Sequence, residues 1–343
     1  MERPVADRVM RASTPETIEA DLEALWRELA DRTSVTRAMM SNLVVFRNCP
    51  RADEVDLDAC VGEVPIDEVV RRHPSRLIVL VHQDDPGRLQ APLDASIGIR
   101  VFGSGETRHA IEQITVRSVC AEASLPSIVR RLILGDLPTS VWWTEDLSQS
   151  PPPTALVTMG RQFVYDSRQW RDARAGLSTM AALLGRQHAP DVADANWRRL
   201  APMRQALQLG LRSLTPGTAG TPMRVQVRHH RLDAAKAWLL AGWLASDPRP
   251  GPQGKLVTTV DEGDIASQHL SVTIESGQGL ALSAEMDDTQ VVVRNTSTDV
   301  TVAVRVPSES VAEAMAAELH ALGRDIALTA AIGAANARLT AAA

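Results

Sequence analysis

Residues 196–204, Asn-Trp-Arg-Arg-Leu-Ala-Pro-Met-Arg, are the densest set of chemically capable side chains in the 343-residue sequence. Arg198, Arg199 and Arg204 bracket Trp197. A guanidinium is a planar fork that takes a carboxylate or phosphate through two hydrogen bonds, and it also stacks on indole faces. The segment lies in a basic stretch: residues 171–231 hold ten Arg against three Asp. Because residues 195–232 contain no acid at all, these arginines lack the local partners of an ordinary solvated helix. The pattern suits a sugar phosphate or an acidic patch on a partner protein. On a helix Arg198 and Arg199 diverge by about 100°, so they serve different groups.

Two further segments carry polar or aromatic groups at strand ends. Tyr165-Asp166-Ser167 follows a short apolar run and precedes a helical pattern, which puts Asp166 and Ser167 where α/β sheets bind ligands, or where a helix needs a cap. In Val141-Trp142-Trp143 the two indoles point to opposite faces of a strand. One of them belongs to a core; the other faces a second core, a cleft or a partner. The chain has 7 Trp but only 3 Phe and 1 Tyr, so its large rings are mostly of the type that serves half-wet surfaces as well as cores.

Other chemistry is absent or weakly signalled. Gly103-Ser104-Gly105 lacks the third glycine of a dinucleotide loop and the G-K-[ST] of a phosphate loop. His229 and His230 alternate faces on a strand and cannot jointly grip a metal, so no metal and no cofactor is expected. Cys49, Cys60 and Cys120 form no C-x-x-C pair, and their odd number favours free, buried thiols in a cytoplasmic protein. No G-x-S-x-G elbow is present. The formal charge of −6 gives no general attraction to nucleic acid or an anionic membrane, and no apolar run reaches the roughly 18–20 residues of a membrane span.

These groups are positioned by a recognisable alternation of elements. Ser13-Thr14-Pro15-Glu16 reads as a capping box opening a helix with Ile18, Leu22, Leu25 and Leu29 on one face. Strands are expected at Leu43–Phe46, Leu77–Val81, Ile97–Phe102, Ile114–Val119, Val141–Trp143 and Phe163–Tyr165, with a polar loop over 50–63 and a helix after Ser124. Helical patterns cover 169–187 and 195–213. Met223–Val227 alternates as a half-wet strand, Asp233 opens a helix with Trp238 and Trp243, and 255–306 reads as four or five antiparallel strands. Pro307-Ser308 starts a last helix, which the Ala-rich tail after Ile326 either extends or leaves to fray. The fold class is therefore α/β: an N-terminal mainly parallel or mixed sheet flanked by helices (residues 1–168), then a C-terminal α+β domain with an antiparallel sheet (169–343).

An ordered series of segments resembles the glucose-6-phosphate dehydrogenase assembly protein family, OpcA. It comprises Leu43-Val-Val45, His73-Pro-Ser-Arg-Leu77, Asp136-Leu-Pro-Thr-Ser-Val-Trp-Trp143, Val164-Tyr-Asp-Ser167, Asn196 to Arg204 and Leu239-Leu-Ala-Gly-Trp-Leu244. The resemblance covers about residues 15–245. Met203 departs from it where a Trp is expected, as does the Pro-rich break after Ser246. It implies a non-catalytic protein that binds glucose-6-phosphate dehydrogenase and promotes its active oligomeric state as an allosteric activator, controlling entry of carbohydrate into the oxidative pentose phosphate pathway. Trp142, Trp143, Asp166, Ser167, Asn196, Trp197, Arg198, Arg199 and Arg204 are the expected partner- or ligand-binding residues. The alternative reading is a sugar-phosphate-binding enzyme or metabolite sensor that uses Asp166 and the Arg-rich segment.

Overall fold

The computed structural model describes residues 7–49, 57–83, 94–104, 108–118, 125–212, 223–246, 256–262, 269–276, 279–296 and 298–341. Strand β1 (Asp7–Ser13) leads through helix α1 (Ile18–Ala30) to β2 (Thr36–Arg37) and β3 (Ser41–Asn48). Helices α2 (Leu57–Gly62) and α3 (Ile66–Arg72) precede β4 (Ser75–His82), β5 (Asp94–Phe102) and β6 (His109–Ser118). Then come α4 (Leu125–Leu132), β7 (Thr139–Trp143), α5 (Thr154–Val157), β8 (Gln162–Tyr165), a 3-10 turn at Ser167–Gln169, α6 (Ala173–Leu184) and β9 (Asp191–Asp194). Helices α7 (Ala195–Arg199) and α8 (Ala201–Arg212) lead to β10 (Met223–His229), a 3-10 turn at Arg231–Asp233 and α9 (Ala234–Ser246). Five strands follow: β11 (Leu256–Glu262), β12 (Leu270–Ser276), β13 (Gly279–Met286), β14 (Gln290–Asn295) and β15 (Val300–Arg305). Helices α10 (Val311–His320) and α11 (Ile326–Ala341) close the chain.

The first sheet has nine strands in the order β1-β5-β6-β4-β3-β7-β8-β9, with β2 on β6. The six from β6 to β9 are parallel to one another, and β5 and β1 add antiparallel strands at one side. Counted in chain order, those six run 3-2-1-4-5-6, the doubly wound arrangement of dinucleotide-binding sheets. β4, β7 and β8 are buried along their whole length because helices cover both faces, which is why they read as unbroken apolar runs. One face carries Phe46, Ile78, Val141, Trp143 and Phe163 against α1, α4 and α6. The other carries Leu43, Val45, Leu77, Trp142 and Val164 against α3 and α10.

The second sheet, β11-β10-β12-β13-β14-β15, is antiparallel except for the parallel β10–β11 pair. Its inner rows, including Val225, Val272, Leu282 and Val293, join the same apolar cluster as the first face of the nine-stranded sheet, through α8, α9 and α11. One core therefore runs through both sheets.

Several local expectations are corrected. Ser13 ends β1, and the α1 N-cap is Thr17 without a side-chain cap bond; Ser13 and Thr17 hydroxyls instead donate to Asp21. The stretch read as a loop contains α2. The first long helical pattern is a 3-10 turn plus α6, capped by Asp172, and β9 follows it unannounced. The last helix starts at Val311 with a capping box of Ser310 and Glu313, and α11 is a separate helix rather than its extension. Cys49 and Cys60 are joined in a disulfide, not free. Ser124, Gly105 and Cys120 lie outside the described residues.

Candidate functional site

β8 and β9 run parallel and end side by side, so Asp166, Ser167, Asp194 and Asn196 meet at their carboxyl ends. Asp194 caps α7: its Oδ1 accepts the backbone N–H of Asn196 at 2.9 Å and of Ser167 at 3.0 Å. Asn196 Nδ2 donates to Ser167 Oγ at 3.0 Å. Asp166 plays the capping role expected of it, but for the 3-10 turn, by accepting from the N–H of Arg168. Ser167 caps nothing; it is buried as a link between the strand ends. Asp194 Oδ2, Asn196 Oδ1 and Tyr165 OH are buried with no hydrogen-bond partner among the described residues. Burial pushes the Asp194 carboxyl up to about 7, and the nearby Asp166 charge adds to the push against the bonds from Ser167 and Asn196.

The arginines diverge as expected. Arg199 forms a two-pronged pair with Asp166, at 2.8 and 2.9 Å. Arg198 Nε meets both Glu309 oxygens at 3.0 Å, and its Nη1 lies 3.6 Å from Glu318. Trp197 is buried; its Nε1 donates to Asp325 at 2.7 Å, and the Arg204 guanidinium lies 3.7 Å over its ring. The Arg cluster, with no acid of its own across 195–232, is thus paired with acids from elsewhere in the chain. Its partners come from residue 166 and from 309–325, and sequence spacing cannot reveal pairs separated by 111 to 128 residues.

Trp142 and Trp143 are both buried on opposite faces. Trp143 stacks on Phe46 at 4.1 Å and donates to the Ser150 carbonyl. Two cavities border this region. A smaller one of about 370 Å³ is lined by Trp142, Trp143, Met315, Val311, Glu63 and Asp166. A larger one of about 980 Å³ lies between α7, α8, the start of α9 and the end of the second sheet, and Arg198 and Arg199 line it. The Asp166–Arg199 pair stands between the two.

In a doubly wound sheet the dinucleotide crevice opens where the strand order reverses, here between β3 and β7. The residues there do not fit a pyrophosphate. No glycine occurs from Arg47 to Val61, and Asp53, Glu54, Asp56 and Asp58 make the segment acidic. The Glu145 carboxylate beyond β7 accepts the Asn48 N–H at 2.9 Å and faces Arg47, whose other nitrogen pairs with Glu63 at 2.8 Å and the Cys60 carbonyl at 2.9 Å. A carboxylate thus occupies the mouth where glycine N–H groups would cradle phosphate. Gly103, after β5, lies at φ 84° as a plain turn residue. Among the described residues no cluster of His, Cys, Asp or Glu is placed to hold a metal ion, and no helix is long and apolar enough to cross a membrane.

Fold and site together define a class: a doubly wound α/β unit joined to an antiparallel sheet, with the Glu145 carboxylate at the mouth of the crevice between β3 and β7. Within that class the chain belongs to the OpcA family of glucose-6-phosphate dehydrogenase assembly proteins. Residues 66–182 match the family described as glucose-6-phosphate dehydrogenase subunit N-terminal domain, and residues 190–332 the corresponding C-terminal domain. No curated protein matches the sequence significantly. Among solved structures, similar ones include an NAD binding oxidoreductase from Klebsiella pneumoniae (9% identity, TM-score 0.46, 88% of this chain and 96% of that one). Others are an oxidoreductase domain protein from Kribbella flavida (11%, 0.39, 86% and 91%) and the transcriptional regulator Gal80p from Kluyveromyces lactis (7%, 0.42, 87% and 85%).

Sequence reasoning missed Asp194, Glu309, Glu318 and Asp325. Asp194 had a faint signal, an apolar pair before a helix start, but β9 is only four residues long.

Proposed function

We propose that this protein binds glucose-6-phosphate dehydrogenase and promotes its active oligomeric state, with no chemistry of its own. The observation that carries the reading is the family match of both halves of the chain. The Glu145 carboxylate at the mouth of the crevice between β3 and β7, where a pyrophosphate would need N–H donors, supports a role without hydride transfer. An activator must bind the active form better than the inactive one, and a shift from mostly inactive to mostly active needs several kcal/mol of differential affinity.

The contact surface we propose is the carboxyl-end face of β7–β9 around the smaller cavity, where Trp142, Trp143 and Met315 form the floor and Asp166 and Glu63 the rim. Pockets of this kind, apolar at the centre and polar at the edge, suit an interface hot spot. Arg198, Arg199, Arg204, Trp197, Asn196 and Ser167 then act from behind, holding that face in shape.

Sedimentation of dehydrogenase with and without this protein, together with enzyme kinetics, tests the reading. A larger complex and a changed Michaelis constant or rate are expected; no complex and no kinetic change would overturn it. Val311→Asp tests the surface. Val311 is 42% exposed at the first turn of α10, where a carboxylate is compatible with the helix dipole. Binding should weaken tenfold or more while the thermal midpoint stays put.

A further inference from the structure

Strand β15 leaves an open edge on the second sheet. It pairs with β14 on one side and, among the described residues, with no strand on the other; α8 packs across its inner face. Val306 N–H donates to the Thr289 carbonyl in line with the β14 ladder. Antiparallel strands exchange hydrogen bonds at every second residue, so the backbone groups of Val300, Val302 and Val304 face β14. Those of Thr301, Ala303 and Arg305 point to the free side. The valines there are incompletely covered: Val302 and Val304 are half-buried against the core, and Val300 is 43% exposed.

An open edge templates another strand unless short length, charge, proline or a bulge blunts it. The other three sheet edges carry such devices. β9 is four residues long with an Asp at each end, β1 contains Asp7, Arg8 and Arg11, and β11 ends in Asp261 and Glu262. β15 has six residues, an unbroken register with β14, no proline, and its one charge at the last position.

The sequence of β15 also selects what can pair with it. Val300-Thr-Val-Ala-Val304 alternates symmetrically about Val302. Laid antiparallel on a copy of itself, with Val302 opposite Val302, it sets Val300 against Val304 and Thr301 against Ala303. Every residue then meets one on the same face of the sheet. The Thr301–Ala303 positions use the free backbone groups, and the valines continue the apolar row across the junction. In the same register Arg305 comes beside Asp299 of the second copy at each end. Both residues are exposed, and neither has an ion-pair partner among the described residues. An unrelated strand would have to match the valine row and both charges, whereas a second β15 does so by symmetry.

We infer that the β15 edge joins two copies of this chain through an antiparallel β15–β15 pair centred on Val302, so that one sheet runs through both. A single strand pair buries less than the roughly 1,200–2,000 Å² of a stable interface, so the dimer forms reversibly with concentration. It is separate from the dehydrogenase contact and is tested on the chain alone.

Sedimentation of the full chain over a range of concentrations should show a monomer–dimer equilibrium. Ala303→Pro removes an N–H that faces the free side, a position where edge strands tolerate proline. The thermal midpoint should therefore hold while dimerisation weakens tenfold or more. Arg305→Glu sets like charges side by side at both ends and should also weaken it tenfold or more; as an exposed substitution it decides the matter if the proline variant fails to fold. Val302→Cys should cross-link to its own copy on mild oxidation, whereas Val300→Cys, which faces Val304, and the parent should not. A parent chain that stays monomeric up to its solubility limit would overturn the inference. So would a dimer that tolerates Arg305→Glu, or cross-linking through Val300→Cys but not Val302→Cys.

Discussion

Asp194 shows how one buried group ties structure to pH. Its folded-state pKa of about 7 stands above the unfolded value of about 3.9. Between those values the folded chain binds a proton that the unfolded chain does not, so stability falls as pH rises from about 4 to about 7, by on the order of a few kcal/mol. His73 has the opposite sign. Burial, with the edge-on His320 ring beside it, holds His73 down to about 4, so its contribution is lost as pH falls from about 6.5 to about 4. In Asp194→Asn the Oδ1 contacts to Ser167 and Asn196 persist and the titration disappears. Urea midpoints from pH 4.5 to 8 should then rise with pH up to about 6.5, where the parent is flatter, and the variant should exceed the parent at pH 8. A variant profile that still falls toward pH 7 would contradict this. The neighbouring Trp197 allows a second test at this scale. Trp197→Phe keeps most of the ring under Arg204 but deletes the donor to Asp325, which should cost about 1–3 kcal/mol in denaturant stability. The sequence made Trp197 and the arginines visible by type and density. It hid what they bind, because a charge pair across 111 residues leaves no periodic trace.

At the scale of elements, legibility followed burial symmetry. Strands covered on both faces, such as β4, are unbroken apolar runs and were found; β1 and β9, at the two edges of the first sheet, have mixed sequences and were not. Helix α11 was ambiguous for a different reason. Its contact stripe, Leu328, Ala331, Ile332, Ala335 and Leu339, has helical spacing, but alanines on every other face blur the contrast that marks an amphipathic helix. Those small residues let α11 and α9 approach closely. At Gly242 on α9, an added methyl would run into the Ala331 carbonyl oxygen, a backbone atom that cannot swing aside. Gly242→Ala should therefore destabilise by about 1–3 kcal/mol, as overpacked sites do. Gly333, on the exposed side of α11, has open space where its Cβ would be, so Gly333→Ala should stabilise by about 0.5–1 kcal/mol through helix propensity. Thermal melts of the two variants should move in opposite directions; equal shifts would mean that the helix crossing is looser than the geometry requires. The Cys49–Cys60 bond belongs to this scale too. It closes a loop of 11 residues in sequence after β3, where a dinucleotide-binding chain would turn on glycines, and an odd cysteine count offered no sign of it.

For the whole molecule, the chain path makes the two sheets depend on each other. The nine-stranded sheet takes its last strand from Asp191–Asp194 and much of the cover of one face from α10, near the end of the chain. Ala312, Met315 and Leu319 of that helix pack in one cluster with Leu43, Val45, Leu77 and Trp142. The other face shares a continuous apolar core with the second sheet through α8, α9 and α11. Apolar burial is the main favourable contribution to folding, at roughly 25 cal/mol per Å², so neither sheet can keep its full share when the other unfolds. Calorimetry of the intact chain should accordingly give one transition, with the van't Hoff enthalpy close to the calorimetric one; two resolved transitions would show separable units. A chain ended after Arg305 loses α10 and α11 together, which uncovers Trp142 and its neighbours on one side and the α9 contact on the other. That truncation should lose the cooperative melt and expose apolar surface to a fluorescent hydrophobic dye. This dependence also fits the site's design as a proposed docking face. Asp166 comes from the first sheet, while Glu309 and Met315 come from the segment that returns after the second. A partner gripping that face would therefore sense the packing of the entire chain rather than of one half.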